Sequence, residues 1–477
     1  MKLNKNQIIT SEGKDYRILD LLEAGGQGEV YLAESDGEQY AIKIYIDEQH
    51  PDFCYNLKNN IAKGSPSNTF IWPKSIIDEG DTFGYVMALR PKNFVSFVSY
   101  LNGKNKFKDQ STALRWCIEL CLSFKRLHEK GYSYQDLNDG SFFLDPDTGD
   151  LLICDNDNVA ADKKNLGILG KMRYMAPEIV RGDTDSRTGD RQMPDVHSDR
   201  FSLAVILFMA LCLGNPYEGE RLKNYPLMDE DAEYEMYGEK PVFIYHKTDK
   251  SNRPIRGYHA SVLRRWPLIP IYIKEAFHRT FVDGLSDREN ERTTEIEWLR
   301  LLTRYRDELV TCSCGYQYAY GLAEKSLRHD CPLCGAKNQG EYGVLTVNKN
   351  RIVLEPEKKI YSHHLDKYSS LYNDEMGEII RNKKNPALWG LRVNTAGDVL
   401  IKDAEGNVKT IPQGGVIPII KDLKIKFDES AVGEIKESTS SNSNLNYNLQ
   451  NKEIANYEKQ RNQRKIRPRR RYCTPGT

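Results

Sequence analysis

A glycine-rich turn, Ala24-Gly25-Gly26-Gln27-Gly28-Glu29-Val30, lies between two β-type runs, Ile18 to Glu23 and Val30 to Glu34. A glycine turn that joins strand to strand, and not strand to helix, argues against a Rossmann or P-loop site. It requires a hairpin whose glycines let backbone N–H groups approach an anion without side-chain clash. Further β-type runs at Gln39 to Ile46, Ile71 to Ile77 and Phe83 to Leu89 predict a small antiparallel sheet over residues 15–100. The run after the turn carries Ala41-Ile42-Lys43, and Lys43 stands 15 residues after Gly28. Tyr134-Gln135-Asp136, Asp155-Asn156-Asp157, Ala176-Pro177-Glu178 and Asp199-Arg200-Phe201-Ser202 follow in that order.

The remainder divides by pattern. From Ser111 to Lys130, Leu114, Cys117, Ile118, Cys121, Leu122 and Leu127 recur at helical spacing, and Gly131 predicts the stop. Helical segments dominate to about Glu308. The longest apolar run, Leu203 to Gly214, has 12 residues, whereas a membrane span needs about 20. Asp199 and Asn215-Pro216 bracket that run as the start and stop of a buried helix. Residues 220–260 are charged and Tyr-rich without clear period and predict a loop-rich insertion. Turn signals at Ala396-Gly397-Asp398, Glu405-Gly406-Asn407 and Gln413-Gly414-Gly415 predict a β-rich module over 342–427. From Asp428 the composition turns to Ser, Asn, Glu, Gln and Lys, which predicts a disordered tail over 428–477.

The ordered motifs resemble the eukaryotic-type protein kinase superfamily over residues 15–309. The resemblance implies an α+β, bilobal protein-kinase-like fold, with a β-lobe at 15–90 and an α-lobe at 91–309. It implies an ATP- and Mg²⁺-dependent protein kinase, Ser/Thr-directed, acting on a protein substrate in bacterial signalling or stress response. Lys43 would pair with the α and β phosphates, and Asp136 would orient the acceptor hydroxyl and receive its proton. Asp155, nineteen residues on, would hold Mg²⁺ between the β and γ phosphates. Gly25, Gly26, Gly28, Val30, Ala41, Met87 and Leu89 would surround the nucleotide, with Met87 as gatekeeper and Ala88 to Arg90 as the adenine hinge. Glu178 would pair with Arg292, and Asp199 would accept backbone N–H bonds from the catalytic loop.

Six positions depart from that pattern. Glu23 replaces the first glycine, and no Glu lies between Gln49 and Ile77 to pair with Lys43. Asp155 or another acid would have to serve. Gln135 replaces the arginine that docks an activating phosphate. Asn138 stands where Ser/Thr kinases carry a lysine near the γ phosphate, and Ser141 stands where a metal-ligating Asn is expected. Asn156 and Asp157 replace Phe and Gly, and Asp157 is read as an additional Mg²⁺ ligand. The stretches Gln135 to Phe143 and Ile153 to Val159 resemble a divergent bacterial group of kinases linked to tellurium-resistance-type gene clusters. That resemblance implies a von Willebrand A-domain protein and a metal-dependent phosphatase as partners. A nucleotide-binding pseudokinase scaffold and transfer of AMP stay open as alternatives.

Cys312-Ser313-Cys314-Gly315 and Cys331-Pro332-Leu333-Cys334-Gly335 predict a zinc ribbon over 311–338, with Cys312, Cys314, Cys331 and Cys334 as tetrahedral Zn²⁺ ligands. His329 is an alternative to Cys312. The site would be structural, because all four ligands are protein and no general base lies within it. With no secretory h-region, reduced thiols place the chain in the cytoplasm. The last part of the β-rich module weakly resembles a degenerate forkhead-associated sandwich, and His363-His364 is expected in an exposed strand or turn. Lys plus Arg equals Asp plus Glu, 68 each, so the chain as a whole advertises neither nucleic acid nor membrane binding. Only the terminal run Arg461 to Arg471 is strongly basic, fit either for an acidic partner or nucleic acid or for a solvated tail.

Overall fold

The opening sheet shows the period of two that a half-buried strand requires. In β3 (Gly28–Ser35), Glu29, Tyr31, Ala33 and Ser35 are buried, while Val30, Leu32 and Glu34 are only partly covered. This is a computed structural model, described for residues 3–79, 82–164, 170–185, 187–320, 330–337, 342–386 and 388–436. It forms two units, Met1–Arg306 and Asp307–Thr477.

In the first unit, β1 (Ile8–Ser11), β2 (Lys14–Ala24), β3, β4 (Glu38–Tyr45), β5 (Pro73–Glu79) and β6 (Thr82–Ala88) form one sheet in the order β1-β2-β3-β4-β6-β5. Every neighbouring pair is antiparallel. β1 lies ahead of the expected start at residue 15, and its Ile9 joins Tyr16, Ile18, Tyr31, Ala33, Ile42, Ile44 and Val86 in a core on one face. On the other face, cross-strand register pairs Val30 with Lys43, Lys43 with Tyr85 and Ala41 with Met87. Gly28 cannot carry a side chain, because a Cβ there would stand 2.5 Å from the Ile44 carbonyl oxygen. α1 (Pro51–Lys63) follows β4, with His50 as its cap and proline in its first turn.

The helical part holds β7 (Val95–Ser96), α2 (Phe97–Leu101), α3 (Gln110–Glu129) and the short strands β8 (Tyr132–Ser133), β9 (Phe142–Leu144), β10 (Leu151–Ile153) and β11 (Ala160–Ala161). α3 is capped by Asp109 and ends next to Gly131, whose φ is +75°, as its periodicity predicts. After α4 (Pro177–Arg181), α5 (Val196–Cys212) carries the apolar run, buried from Phe201 to Cys212. Its start differs from expectation. Asp195 is the cap, in a box with Ser198, which frees Asp199 to reach the Tyr134 backbone.

The 220–260 region contains α6 (Glu230–Glu233), which runs into a π-helical turn, Tyr234–Glu239. Buried Asn252 organises it. The Asn252 amide donates to the carbonyls of Tyr217 and Val242 at 2.6 and 2.7 Å, and its oxygen accepts from the Gly219 and Arg221 N–H groups. α7 (Ala260–Arg265), α8 (Ile271–Phe281) and α9 (Glu295–Asp307) complete this part. No helix among the described residues is long and apolar enough to cross a membrane.

The second unit opens with a hairpin of β12 (Leu309–Thr311) and β13 (Gln317–Ala319), then β14 (Gly343–Val347), β15 (Asn350–Leu354), β16 (Lys359–Tyr361), α10 (Ser362–Leu365), β17 (Glu375–Arg381) and β18 (Trp389–Val393). β19 (Val399–Lys402), β20 (Val408–Ile411), β21 (Val416–Pro418), β22 (Lys424–Lys426) and β23 (Val432–Lys436) follow. Two sheets, β15-β14-β23-β22-β19-β20 and β16-β17-β18-β21, share a core that includes Leu345, Ile352, Ile379, Leu391, Val399, Ile417, Ile425 and Ile435. The β region thus runs past the expected limit at 427, because β23 pairs with both β14 and β22 and buries Ile435. The remainder of the expected tail, 437–477, and His329 lie outside the described residues. His363 and His364 correct the expectation of an exposed pair: both are buried in α10. His364 Nδ1 accepts the Tyr361 N–H at 3.0 Å and Nε2 lies 3.1 Å from Asp307, so its ring serves as a structural bridge.

Candidate active site

Sheet register accounts for half of the site. Val30, Ala41, Lys43 and Met87 share one face of the β-sheet, and the Gly25–Gly28 turn closes on itself through a Gly25 N–H bond to the Gly28 carbonyl at 2.9 Å. Leu89 follows β6, and the Arg90 guanidinium lies 4.3 Å from the centre of the Phe143 ring.

Lys43 is 6% exposed, so its ammonium requires a counter-charge. Asp157 supplies it: Lys43 Nζ lies 2.7 Å from Asp157 Oδ2 and 3.7 Å from Asp155 Oδ1. Tyr45, two residues along β4 on the same face, donates its hydroxyl to the same Asp157 oxygen. Burial opposes the charge on Lys43, yet the two carboxylates more than offset it and hold the lysine pKa above its usual value. Burial likewise pushes Asp157 up, but Lys43 and Tyr45 bring its pKa below the ordinary carboxylate range. α1 contributes no acid here. Its buried Asn56 and Asn60 instead donate to the Val159 carbonyl at 2.8 and 2.7 Å, fixing the helix to the segment that carries Asp155 and Asp157. Asn156, in the position of the expected Phe, donates at 2.8 Å to the carbonyls of both Ile71 and Ile153.

The loop from Tyr134 to Ser141 hangs from Asp199. Its Oδ2 accepts the Tyr134 N–H at 2.7 Å and lies 3.0 Å from His128 Nε2. His128 is buried between Asp199 and Glu295; burial lowers its pKa, but the two carboxylates win and raise it to about 9. Gln135 (φ +71°) and Asp155 (φ +54°) both adopt left-handed backbone, a costly geometry that turns the neighbouring side chains into the cleft. Gln135 donates to the Lys164 carbonyl, so the docking arginine is replaced by an amide on backbone. Asp136 accepts from Asn138 Nδ2 at 3.1 Å, and burial raises its pKa despite that bond. Asp155 keeps a half-exposed carboxylate edge, although desolvation in the cleft raises its pKa to about 6 against the pull of Lys43. Ser141 Oγ is buried with no hydrogen-bond partner, as is Asp157 Oδ1.

Behind the site, Glu178 and Arg292 form the expected pair. Arg292 donates to both Glu178 oxygens at 2.8 and 2.7 Å and is fully buried.

In the second unit, the four cysteines converge. Cys312 and Cys334 Sγ are 3.6 Å apart, Cys314 and Cys331 Sγ 3.7 Å, and all four lie within 4.8 Å of one another. Both turns close alike: Gly315 N–H bonds the Cys312 carbonyl and Gly335 N–H the Cys331 carbonyl, with φ of +85° and +71° at the two glycines.

A family model described as a protein kinase domain matches residues 16–264. Protein kinase YegI of Escherichia coli strain K12 is 26% identical over 348 residues, covering 70% of this chain and 51% of that protein. The protein kinase C eye isozyme of Drosophila melanogaster is 25% identical over 217 residues, covering 43% and 29%. A putative ribosomal protein S6 kinase alpha-1 of Caenorhabditis elegans is 30% identical over 227 residues, covering 44% and 26%. The chain therefore spans about half or less of the length of these curated relatives. The matched segment holds the glycine turn, Lys43, Asp136 and Asp155 in one cleft and exceeds half of the sequence, and on that ground the chain belongs to the protein kinase family.

Proposed function

We propose that the chain transfers the γ phosphate of ATP to a hydroxyl of a protein substrate, with Ser or Thr as acceptor. The observation that carries this reading is the convergence of Lys43, Asp136 and Asp155 with a counter-ion for Lys43 already in place. Lys43, held by Asp157, which Tyr45 braces in turn, is oriented to contact the α and β phosphates. Asp136, kept below still higher pKa values by Asn138, accepts the proton of the attacking hydroxyl. The half-exposed Asp155 carboxylate and the unpartnered Ser141 Oγ are oxygen donors suited to Mg²⁺. When bound, Mg²⁺ would neutralise phosphate charge. Asp157 was expected to add a metal ligand; its contacts favour a role as the counter-ion of Lys43.

The test uses purified chain with Mg²⁺ and ATP labelled at either the γ or the α phosphate. Label from the γ position on protein supports a kinase. Label from the α position alone means AMP transfer. A thermal shift with ATP and no label would favour the nucleotide-binding scaffold, the reading favoured by Gln135, Asn138 and Ser141 at positions where the family carries Arg, Lys and Asn.

We also propose that the four cysteines hold one Zn²⁺. A tetrahedron with Zn–S bonds of about 2.3 Å has S–S edges of about 3.8 Å, close to the 3.6 and 3.7 Å separations here. Elemental analysis is expected to find about one zinc per chain, lost on Cys331→Ser with the first unit still binding ATP. Retention of full zinc in that variant would sink the assignment.

A further inference from the structure

Asn138 stands where Ser/Thr kinases carry the lysine that faces the γ phosphate, yet the structure places another lysine against it. Lys171 Nζ lies 3.2 Å from Asn138 Oδ1 and 3.8 Å from Asp139 Oδ1. The Asn138 amide donates in turn to Asp136 Oδ1 at 3.1 Å, so one side chain links Lys171 to the proposed proton acceptor. The backbone closes the same circuit. The Lys171 N–H bonds the Asp136 carboxylate, and a Cβ on Gly170 would lie 3.5 Å from Asp136 Oδ1.

We propose that Lys171 supplies the ammonium that binds the γ phosphate of ATP, from the segment before Ala176-Pro177-Glu178 instead of from the catalytic loop. This rests on the kinase reading for its consequence in catalysis, and on geometry for the contact itself. Lys43 does not fill the role, because the kinase reading gives it the α and β phosphates, with its ammonium set on Asp157 and Asp155. The Lys171 side chain is 60% exposed; its nearer partner, Asn138, is neutral, and the Asp139 carboxylate lies farther off at 3.8 Å. An ammonium on a flexible four-carbon stem can exchange that amide for a phosphate oxygen, a stronger, charge-assisted partner. Asn138 then serves as the rest position of Lys171 and as a donor to Asp136. The cation absent from position 138 is thus supplied from position 171, against the same side chain.

The test measures Mg²⁺-ATP and Mg²⁺-ADP affinity by titration, together with γ transfer, in wild type, Lys171→Met and the double variant Lys171→Met/Asn138→Lys. Loss of a hydrogen bond to a charged group should lower the preference for ATP over ADP about ten- to hundredfold in Lys171→Met. ADP affinity should stay constant and γ transfer should fall by a similar factor. The double variant, with its lysine returned to the catalytic loop, should recover most of both. An unchanged ATP-to-ADP ratio in Lys171→Met overturns the proposal. If wild type binds ATP without transferring label, the kinase reading fails, and the ratio still decides the role of Lys171. Absence of nucleotide binding in wild type would overturn both.

Discussion

Asp157→Asn and Asp136→Asn should both nearly silence γ transfer, but by separable routes. In Asp157→Asn, Lys43 loses the carboxylate 2.7 Å away and keeps only Asp155 at 3.7 Å. A buried charge robbed of its partner costs about 3–5 kcal/mol. Lys43 can recover part of that only by moving onto Asp155, the residue proposed for Mg²⁺. Nucleotide affinity, unfolding midpoint and transfer should therefore fall together, transfer by about 10²- to 10³-fold. Asp157→Glu, with its longer stem, should not restore the site, because Asp157 is 1% exposed and packed. In Asp136→Asn, the proton acceptor goes but no ion pair breaks. Transfer should fall by about 10²- to 10⁴-fold, with ATP affinity and stability unchanged. Titration, thermal unfolding and label transfer on the two variants separate the cases. An Asp157→Asn protein with wild-type ATP affinity would remove Asp157 from the role of counter-ion.

What the sequence made legible at the site were residues fixed by local chain geometry. The glycine turn, Lys43 in β4, and Asp136 and Asp155 beside their turns sit at positions that strand register and short loops determine. The partners of these residues were harder to read, since they come from remote segments. Asp157 lies 114 residues from Lys43, and nothing local to either says that they meet. A signal existed: a carboxylate two residues after Asp155 coincided with the absence of any Glu between Gln49 and Ile77. Lys171 left no such trace, since nothing local pairs it with Asn138, 33 residues earlier.

Misread fold elements share a different cause. β1 is only four residues long, and β23 begins with exposed Val432, so neither carries enough apolar alternation to stand out alone. Each is a strand because a neighbour supplies its partner: β2 for β1, and β14 with β22 for β23. His363-His364 looked like surface, because polar Ser362, Asp366 and Lys367 flank the pair and give no local reason for burial. Asp307, which holds His364, comes 57 residues earlier.

Removing Arg292 should be the most damaging single change to the first unit's stability. Its guanidinium is fully buried, grips Glu178 with two bonds, and also donates to the carbonyls of His197 at 3.0 Å and Gly284 at 3.1 Å. Arg292→Met leaves Glu178 to Arg288 alone, 3.2 Å away, and strands two acceptors. The expected loss is about 3–5 kcal/mol, read by urea unfolding of the full chain. Glu178→Met/Arg292→Met should lose less than Arg292→Met, since no uncompensated carboxylate then remains. Acid gives an independent check. Burial alone would raise the Glu178 pKa, but Arg292 and then Arg288 hold it below the ordinary carboxylate range. A carboxylate depressed in the folded state adds stability above its unfolded pKa and loses it as pH falls through the folded one. The gap between wild type and Arg292→Met should therefore be full at neutral pH and shrink below about pH 4.5. A gap that stayed constant into acid would mean that the contact of the Arg292 guanidinium with the Phe201 ring, and not the ion pair, carries the effect.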